Sequence, residues 1–499
     1  MMFQRHRFLI YNLCMKSSPL RLQDFVFLAV FLSALLSGAQ MLGIDSDLGR
    51  HLTLGNYILD HRVIPTSDLF SHTLTGASRP PYEWMTQVLL AIANRLLGLD
   101  GVILLTAALI AVTFSLLYDD SLRRSQSPLI SLTVTLLAVA ASSIHWLPRP
   151  HIITFLFIAI WLNKLEQVRR NKPVRPFIFP LLMLLWVNLH GGFIFGFLAL
   201  TAYFAGWLWD KLRSQTTNDM GRKYLLIGLT SLGASVITPD LWRNWEAVLN
   251  NRSAFILSRT AETMPPNFAD PSITPFIILL TLAVIFALLN RRNISAAHVF
   301  LLGGLGAMSL LMTRNIPLFA IASAPILAEW ISAKTNEFTS WKKIDARFTS
   351  SSTPSKSALF PTIIIALAVV FISYRHSEGK EIHQFNPQVF PVHAADWLEE
   401  NPLEGRMFND FNWGGYLLYR LWPRELVFVD SQSDFYGESL MRDYETIMLA
   451  QNDWHSLLDQ YQIEWALIPT NSPLADQLKN ENDWTVVYED PVAAIIQQK

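Results

Sequence analysis

Residues 25–51 read FVFLAVFLSALLSGAQMLGIDSDLGRH: an uncharged apolar run, then two aspartates, an arginine and a histidine. The run from Phe25 to Gly43 is about as long as a membrane-spanning helix, since at about 1.5 Å rise per residue about 20 residues cross roughly 30 Å of hydrocarbon. It exceeds the apolar core of a secretory signal, although Ser37-Gly38-Ala39 weakly resembles a cleavage site. Read as a retained first helix, it delivers Asp45-Ser46-Asp47 to the membrane surface.

The rest of the chain fits that start. Of its 499 residues 51% are hydrophobic and 16% charged, with a mean hydropathy of +0.28, too apolar for a soluble chain around one packed core. Apolar segments near 25–43, 101–118, 128–144, 152–166, 176–189, 192–209, 224–238, 274–290, 297–312, 316–332 and 358–374 predict a polytopic α-helical membrane protein with about eleven transmembrane helices. The net charge of -1 implies no nucleic-acid partner. The single cysteine, Cys14, excludes an internal disulfide or a cysteine zinc site.

Charge placement orients the helices. With the N-terminus in the cytoplasm, one set of links holds Arg5, Arg7, Lys16 and Arg21, then Arg123 and Arg124, then Lys164, Arg169, Arg170 and Lys172, and later Lys211, Arg222, Arg291 and Lys342. The opposite links are poorer in basic residues, as the positive-inside rule requires. The domains are then a cytoplasmic basic N-terminus (1–24), a transmembrane domain (25–375) with a first external loop (44–100), and an extracytoplasmic α/β domain (376–499). Within that last part, short apolar runs such as Leu426-Val427-Phe428-Val429 and Trp465-Ala466-Leu467-Ile468 suggest strands. Ser350 to Lys356 suggests a flexible loop end. The expected location is the plasma membrane, multi-pass. Glu83 to Gly98 is read as an interfacial helix, because counting it as a span would put the basic loops outside; Trp84, Val88, Leu89, Ile92 and Leu96 give it an apolar side.

Ionisable groups gather on the external side, where membrane burial is costly unless it serves a purpose. Asp47 lies three and four residues before Arg50 and His51, so a helical start brings them together. The plainer role for Asp47 is to cap the helix from Leu48 to Leu59. The functional one is a general base, or a pair with Asp45 for a divalent cation, Mg or Mn. Other external links contain His145-Trp146-Leu147-Pro148-Arg149-Pro150-His151, Asn188-Leu189-His190-Gly191-Gly192, Glu262 and Thr313-Arg314-Asn315. Each alone reads as a turn; together they read as one site. Arg149 and Arg314 suit a lipid phosphate at the membrane edge. His145, His151 and His190 suit either a sugar or an ordinary turn.

Asp47-Leu48-Gly49-Arg50-His51-Leu52 resembles the Asp-Glu-x-x-His/Tyr start of the first external loop in the GT-C glycosyltransferases, among them protein mannosyltransferases and aminoarabinose transferases. Leu48 stands where that family has Glu. The resemblance implies Asp47 as catalytic base, with Asp45 second, and Arg50 and His51 at the substrate. Arg79-Pro80-Pro81-Tyr82 resembles the family's basic-Pro-Pro-Leu segment, which implies Arg79 beside the donor phosphate, and Glu83 follows as a further acid near the acceptor. Trp186-Val187-Asn188-Leu189-His190-Gly191-Gly192 and Asn412-Trp413-Gly414-Gly415-Tyr416-Leu417 resemble segments of uncharacterised bacterial members.

The expected activity is transfer of one sugar from a polyprenyl-phosphate donor to a hydroxyl of a glycan, lipid or protein acceptor on the outer face, with inversion. Membrane lipids are the other partners. The alternatives are a lipid-linked oligosaccharide polymerase or ligase, a transporter or flippase, and an inactive scaffold, the last because Leu48 breaks the acidic pair. Ionisable residues at span ends rather than at the midplane argue against a transporter.

Overall fold

The apolar runs that look like spans fold as helices because in a bilayer every backbone N–H and C=O must be satisfied within the segment. The computed structural model describes residues 21–213, 220–250, 253–335, 338, 341, 343–345, 348 and 359–499; Cys14, most of the basic N-terminus and Ser350 to Lys356 lie outside them. The membrane part runs α1 (Leu22–Leu36), α2 (Gly38–Ile44), α3 (Leu48–His61), α4 (Trp84–Ser125), α5 (Pro128–Ser142), α6 (His151–Arg169), α7 (Ile178–Leu189), α8 (Ile194–Leu212), α9 (Gly221–Ser235), α10 (Arg243–Asn250), α11 (Ala254–Leu257), α12 (Thr274–Leu289), α13 (Ala296–Leu311), α14 (Ile316–Thr335) and α15 (Leu359–Ser377). Each of the eleven apolar segments overlaps one of these helices, and the first overlaps two, α1 and α2. Among the described residues seven are long and apolar enough to cross a membrane, and the bent pair α1 and α2 makes an eighth. Helices α7, α9 and α13 are shorter, at 12, 15 and 16 residues.

Two bends set the geometry of the first loop. Helices α1 and α2 meet at 47°, at Ser37-Gly38. There the Ser37 hydroxyl donates to the Ser33 carbonyl at 2.9 Å, and such Ser/Gly pairs kink helices. The second bend lies inside α4 at Leu97 and Gly98, where Gly98 has φ of 62° and a Cβ would lie 2.6 Å from a Glu381 oxygen. The segment read as an interfacial helix is thus the first arm of α4. Gln87, Leu90 and Ala91 face inward and Leu89, Ile92 and Leu96 face outward. Helix α14 is buried almost throughout and packs on α5 and α4 at the bundle centre, whereas in α15 only Ile372 is fully buried and the rest is half-buried or exposed.

The C-terminal part contains α16 (Val392–Glu400), β1 (Arg406–Asn409), α17 (Gly414–Leu421), α18 (Ser433–Met448), α19 (Trp454–Tyr461), β2 (Ile463–Pro469), α20 (Pro473–Asn480), β3 (Trp484–Glu489) and β4 (Ala493–Gln498). Its sheet has the order β1-β2-β4-β3, parallel between β1 and β2 and antiparallel elsewhere. Side chains alternate between two buried faces. Trp465, Leu467 and Ile495 join the core shared with the membrane helices, and Ala466, Ile468 and Ile496 join a second core with Phe408 and Phe428.

Of the two apolar runs expected to be strands, Trp465 to Ile468 lies in β2. Leu426 to Val429 instead makes a single bridge to the first loop, Val427 to Ser71. Val427 N–H donates to the Phe70 carbonyl and its own carbonyl accepts from His72 N–H, each at 3.1 Å. Docking is closest where α3 meets α17. A Cβ on Gly49 would overlap the Gly415 carbonyl, and one on Gly415 would overlap the Ser46 carbonyl.

Candidate active site

Asp45 and Asp47 flank the step from α2 into α3, and their roles differ. Asp47 is the N-cap residue of α3, but its side chain caps nothing. The cap is supplied by Asp45, whose Oδ1 accepts from Asp47 N–H at 2.9 Å and Leu48 N–H at 3.2 Å. The Asp47 carboxylate is therefore released from the helix terminus.

Arg149, at the start of α6, spans both acids. Its Nε donates to Asp45 Oδ1 at 2.7 Å and its Nη1 lies 2.6 Å from Asp47 Oδ2 and 3.8 Å from Glu262. Arg50 Nη2 approaches Asp47 at 3.8 Å, one helical turn along. Ser431, from the C-terminal part, donates a hydrogen bond to Asp47 Oδ1. Burial pushes both carboxyls up; for Asp47 the charges of Arg149 and Arg50 outweigh burial and hold it below the ordinary range, whereas Asp45 stays raised. Of the pair, Asp47 is the one held lower. Asp45 Oδ2 is buried without a hydrogen-bond partner.

Glu83 heads the first arm of α4, 3.9 Å from His51 Nδ1 and 3.6 Å from His190 Nε2. Burial pushes its carboxyl up to about 8, with Arg50 opposing and Asp47 adding to the rise. Burial likewise drives His51 well down and His190 to about 3, in His190 reinforced by His151 and Arg314. Both rings are neutral at physiological pH, so neither supplies Glu83 with a cation. His190 accepts from Gly192 N–H at 3.0 Å. Arg314 is half-buried beside these histidines and makes no hydrogen bond or ion pair to any described residue.

Arg79 is engaged elsewhere. It lies 2.5 Å from Asp68 and 2.9 Å from Asp430, also donates to Gln432, and stacks on Phe435 with its guanidinium carbon 4.4 Å from the ring centre. Each of its three nitrogens is bonded to a protein oxygen, so where sequence suggested a phosphate ligand the structure has a tie between the first loop and the C-terminal part. Asp430, Ser431 and Gln432 are site residues whose partners sequence reasoning missed; the signal was the polar run Asp430-Ser431-Gln432-Ser433-Asp434 directly after an apolar run. Asp68 gave none.

The Asp45 and Asp47 pair suits a divalent cation only in part. Asp45 Oδ2 is a free oxygen, but the Arg149 guanidinium fills the space between the acids that a cation would take, and a hard cation needs about six oxygens. The other acidic group with metal-like spacing among the described residues, Glu166, His298 and Glu329, lies at the far end of α6, and Arg170 is within 2.5 Å of both its carboxylates. The cavity beside Arg50, Tyr82, Glu83 and Gln432 measures about 20 Å³, enough for a water and far short of a sugar.

No known family profile matches the chain, and no characterised protein matches it by sequence. Solved structures do match. The archaeal oligosaccharyltransferase AglB from Archaeoglobus fulgidus, in complex with an inhibitory peptide and a dolichol-phosphate, superposes with a TM-score of 0.57 at 14% identity, over 89% of this chain and 69% of that one. The same enzyme tethered to an acceptor peptide containing an NVT sequon gives 0.56 at 13% identity, with the same coverage. ArnT from Cupriavidus metallidurans bound to undecaprenyl phosphate gives 0.48 at 11% identity, over 95% and 97% of the two chains. The chain shares the fold of the archaeal oligosaccharyltransferase AglB over most of its length.

Proposed function

We propose that this chain is a membrane glycosyltransferase that moves one sugar from a polyprenyl-phosphate-linked donor to an acceptor hydroxyl on the outer face of the membrane, with inversion. One observation carries the reading: Asp45, and not Asp47, caps α3, so the Asp47 carboxylate is held only by the side chains of Arg149, Arg50 and Ser431, and an incoming hydroxyl takes the place of Ser431. The acceptor oxygen attacks the anomeric carbon while its proton passes to Asp47. The bond from that carbon to the phosphate oxygen breaks, and the electron pair leaves on polyprenyl phosphate. Such proton removal contributes about 10²- to 10⁴-fold to rate.

The donor class is supported by the shared fold and by Arg314, a cation with no protein partner among the described residues at the edge of the bundle. Arg149 orients both acids, and no step requires a metal. The C-terminal segment Asp430 to Gln432 covers the site and withdraws to admit a sugar, since the present cavity is too small.

The test is transfer of labelled sugar from a panel of polyprenyl-phosphate donors to membrane extracts by purified, correctly inserted protein. Asp47→Asn is expected to lower the rate about 10³-fold with folding intact. Unchanged transfer in both Asp47→Asn and Asp45→Asn sinks the mechanism.

A further inference from the structure

A cavity larger than the one at this site lies elsewhere in the bundle. It measures about 340 Å³ and lies between α4, α6, α8, α13 and α14 at the opposite end of the bundle. From His151 to Lys164 along α6 is about 20 Å at 1.5 Å per residue. That volume is in the range of ligand pockets. Leu116, Ile160, Leu301 and Pro325 form an apolar wall, and Leu116 is 39% exposed, so the wall continues onto the outer, lipid-facing surface of the bundle.

The polar end of the cavity carries a surplus of positive charge. Asp119 and Asp120 are neutralised by Arg123 and Arg124 at 2.8 and 2.7 Å. Nearby, Glu166 and Glu329 are matched by Arg169 and Arg170. Lys164 lines the cavity, is half-buried, and makes no hydrogen bond or ion pair to any described residue. Arg124 also lines it, with a side chain only 5% exposed, and its Nη1, 3.9 Å from a Glu166 oxygen that is already bonded to Arg169, is buried without a hydrogen-bond partner. A buried, unsatisfied guanidinium nitrogen is costly and calls for an acceptor.

We propose that this cavity binds one anionic glycerophospholipid, its phosphate held by Lys164 and Arg124 and the start of one acyl chain lying against the apolar wall. Basic pockets between helices at the basic-rich end of a membrane protein take anionic headgroups in this way. The amphiphile, rather than a soluble anion, follows from the continuity of the wall with the lipid-facing surface. The inference does not depend on the proposed transferase activity.

The experiment is native mass spectrometry of the full chain released from nanodiscs of equal phosphatidylglycerol and phosphatidylcholine. Wild-type protein is expected to retain one phosphatidylglycerol in preference to phosphatidylcholine. Lys164→Glu should cut that retention about tenfold, as should Ala322→Phe, which fills the cavity, and Arg314→Ala, at the other end, should leave it unchanged. Equal retention of the two lipids by wild type overturns the proposal without recourse to any variant. So does displacement by undecaprenyl phosphate at equal concentration, which would assign the site to a polyprenyl lipid, or equal protection by inorganic phosphate, which would make it a soluble-anion site.

Discussion

The two ends of the helix bundle contain inverted versions of one arrangement. At the candidate active site a single guanidinium, Arg149, is surrounded by the carboxylates of Asp45, Asp47 and Glu262. At the far end a single carboxylate, Glu166, is surrounded by Arg169, Arg170, His298 and the Tyr203 hydroxyl, with Arg124 at 3.9 Å. Both Glu166 oxygens are bonded, whereas Asp45 keeps a buried oxygen without a partner. A buried carboxylate bonded at both oxygens fixes helices against one another, although Arg124 Nη1 beside it has no hydrogen-bond partner; at the acidic pair the unbonded oxygen is on Asp45, next to the proposed base. One end is therefore read as chemistry and the other as a fastening.

The Asp47→Asn loss of about 10³-fold in rate is the largest effect this division predicts. Its counterpart is Glu166→Ala. Removing the shared partner leaves several buried cations uncompensated, and breaking a buried pair costs about 3–5 kcal/mol. Thermal unfolding should shift strongly downward, while transfer per folded molecule stays at the wild-type value. A rate per folded molecule that fell as far as in Asp47→Asn would erase the distinction between the two ends.

A smaller effect is expected at the contact between Gly49 and Gly415, which seats the C-terminal part on α3. Gly415→Ala pushes a methyl into the Ser46 carbonyl, and overpacking of this kind costs about 1–3 kcal/mol. Because Ser431 reaches Asp47 from the same part of the chain, limited proteolysis should cut the C-terminal part faster and transfer should fall by about tenfold or less. Wild-type proteolysis and rate in Gly415→Ala would mean that the two backbones separate without consequence.

Much of this was legible in the sequence, for physical reasons that also explain what was not. Apolar runs of membrane length coincide with helices, because lipid leaves the backbone few alternatives, while α3, α10 and α11 lie outside those runs. The acidic motif was legible because Asp45 and Asp47 adjoin an apolar run of membrane length. Their division of labour was not, since which of two aspartates two residues apart caps a helix depends on the backbone turn at Asp45, which is extended. Arg79 looked like a phosphate ligand by its neighbours in sequence, but Asp68 and Asp430 neutralise it, and Asp430 lies 351 residues away. The strand reading of Leu426 to Val429 failed similarly: an apolar run records burial, and this one is buried against the first loop instead of inside the sheet.

The smallest expected effect concerns Glu83 and separates the two ends by pH. In the folded chain Glu83 keeps its proton up to about 8, because burial outweighs Arg50 and the adjacent histidines are neutral. In the unfolded chain it releases the proton near 4.5. Between those values the folded state binds one proton more, so this group's contribution to stability is complete below 4.5, declines as pH rises, and is lost past about 8. If the protonated carboxyl is the form that hydrogen-bonds the acceptor, the rate falls along the same curve, about tenfold by pH 9. Glu83→Gln, which keeps a donor and cannot ionise, should flatten the stability profile between pH 4.5 and about 8 and the rate profile above pH 7. Glu166→Gln, at the saturated end, should leave the alkaline limb of the rate profile where it is. An alkaline limb that survives in Glu83→Gln would assign it to a different group and leave Glu83 a packing residue of the first loop.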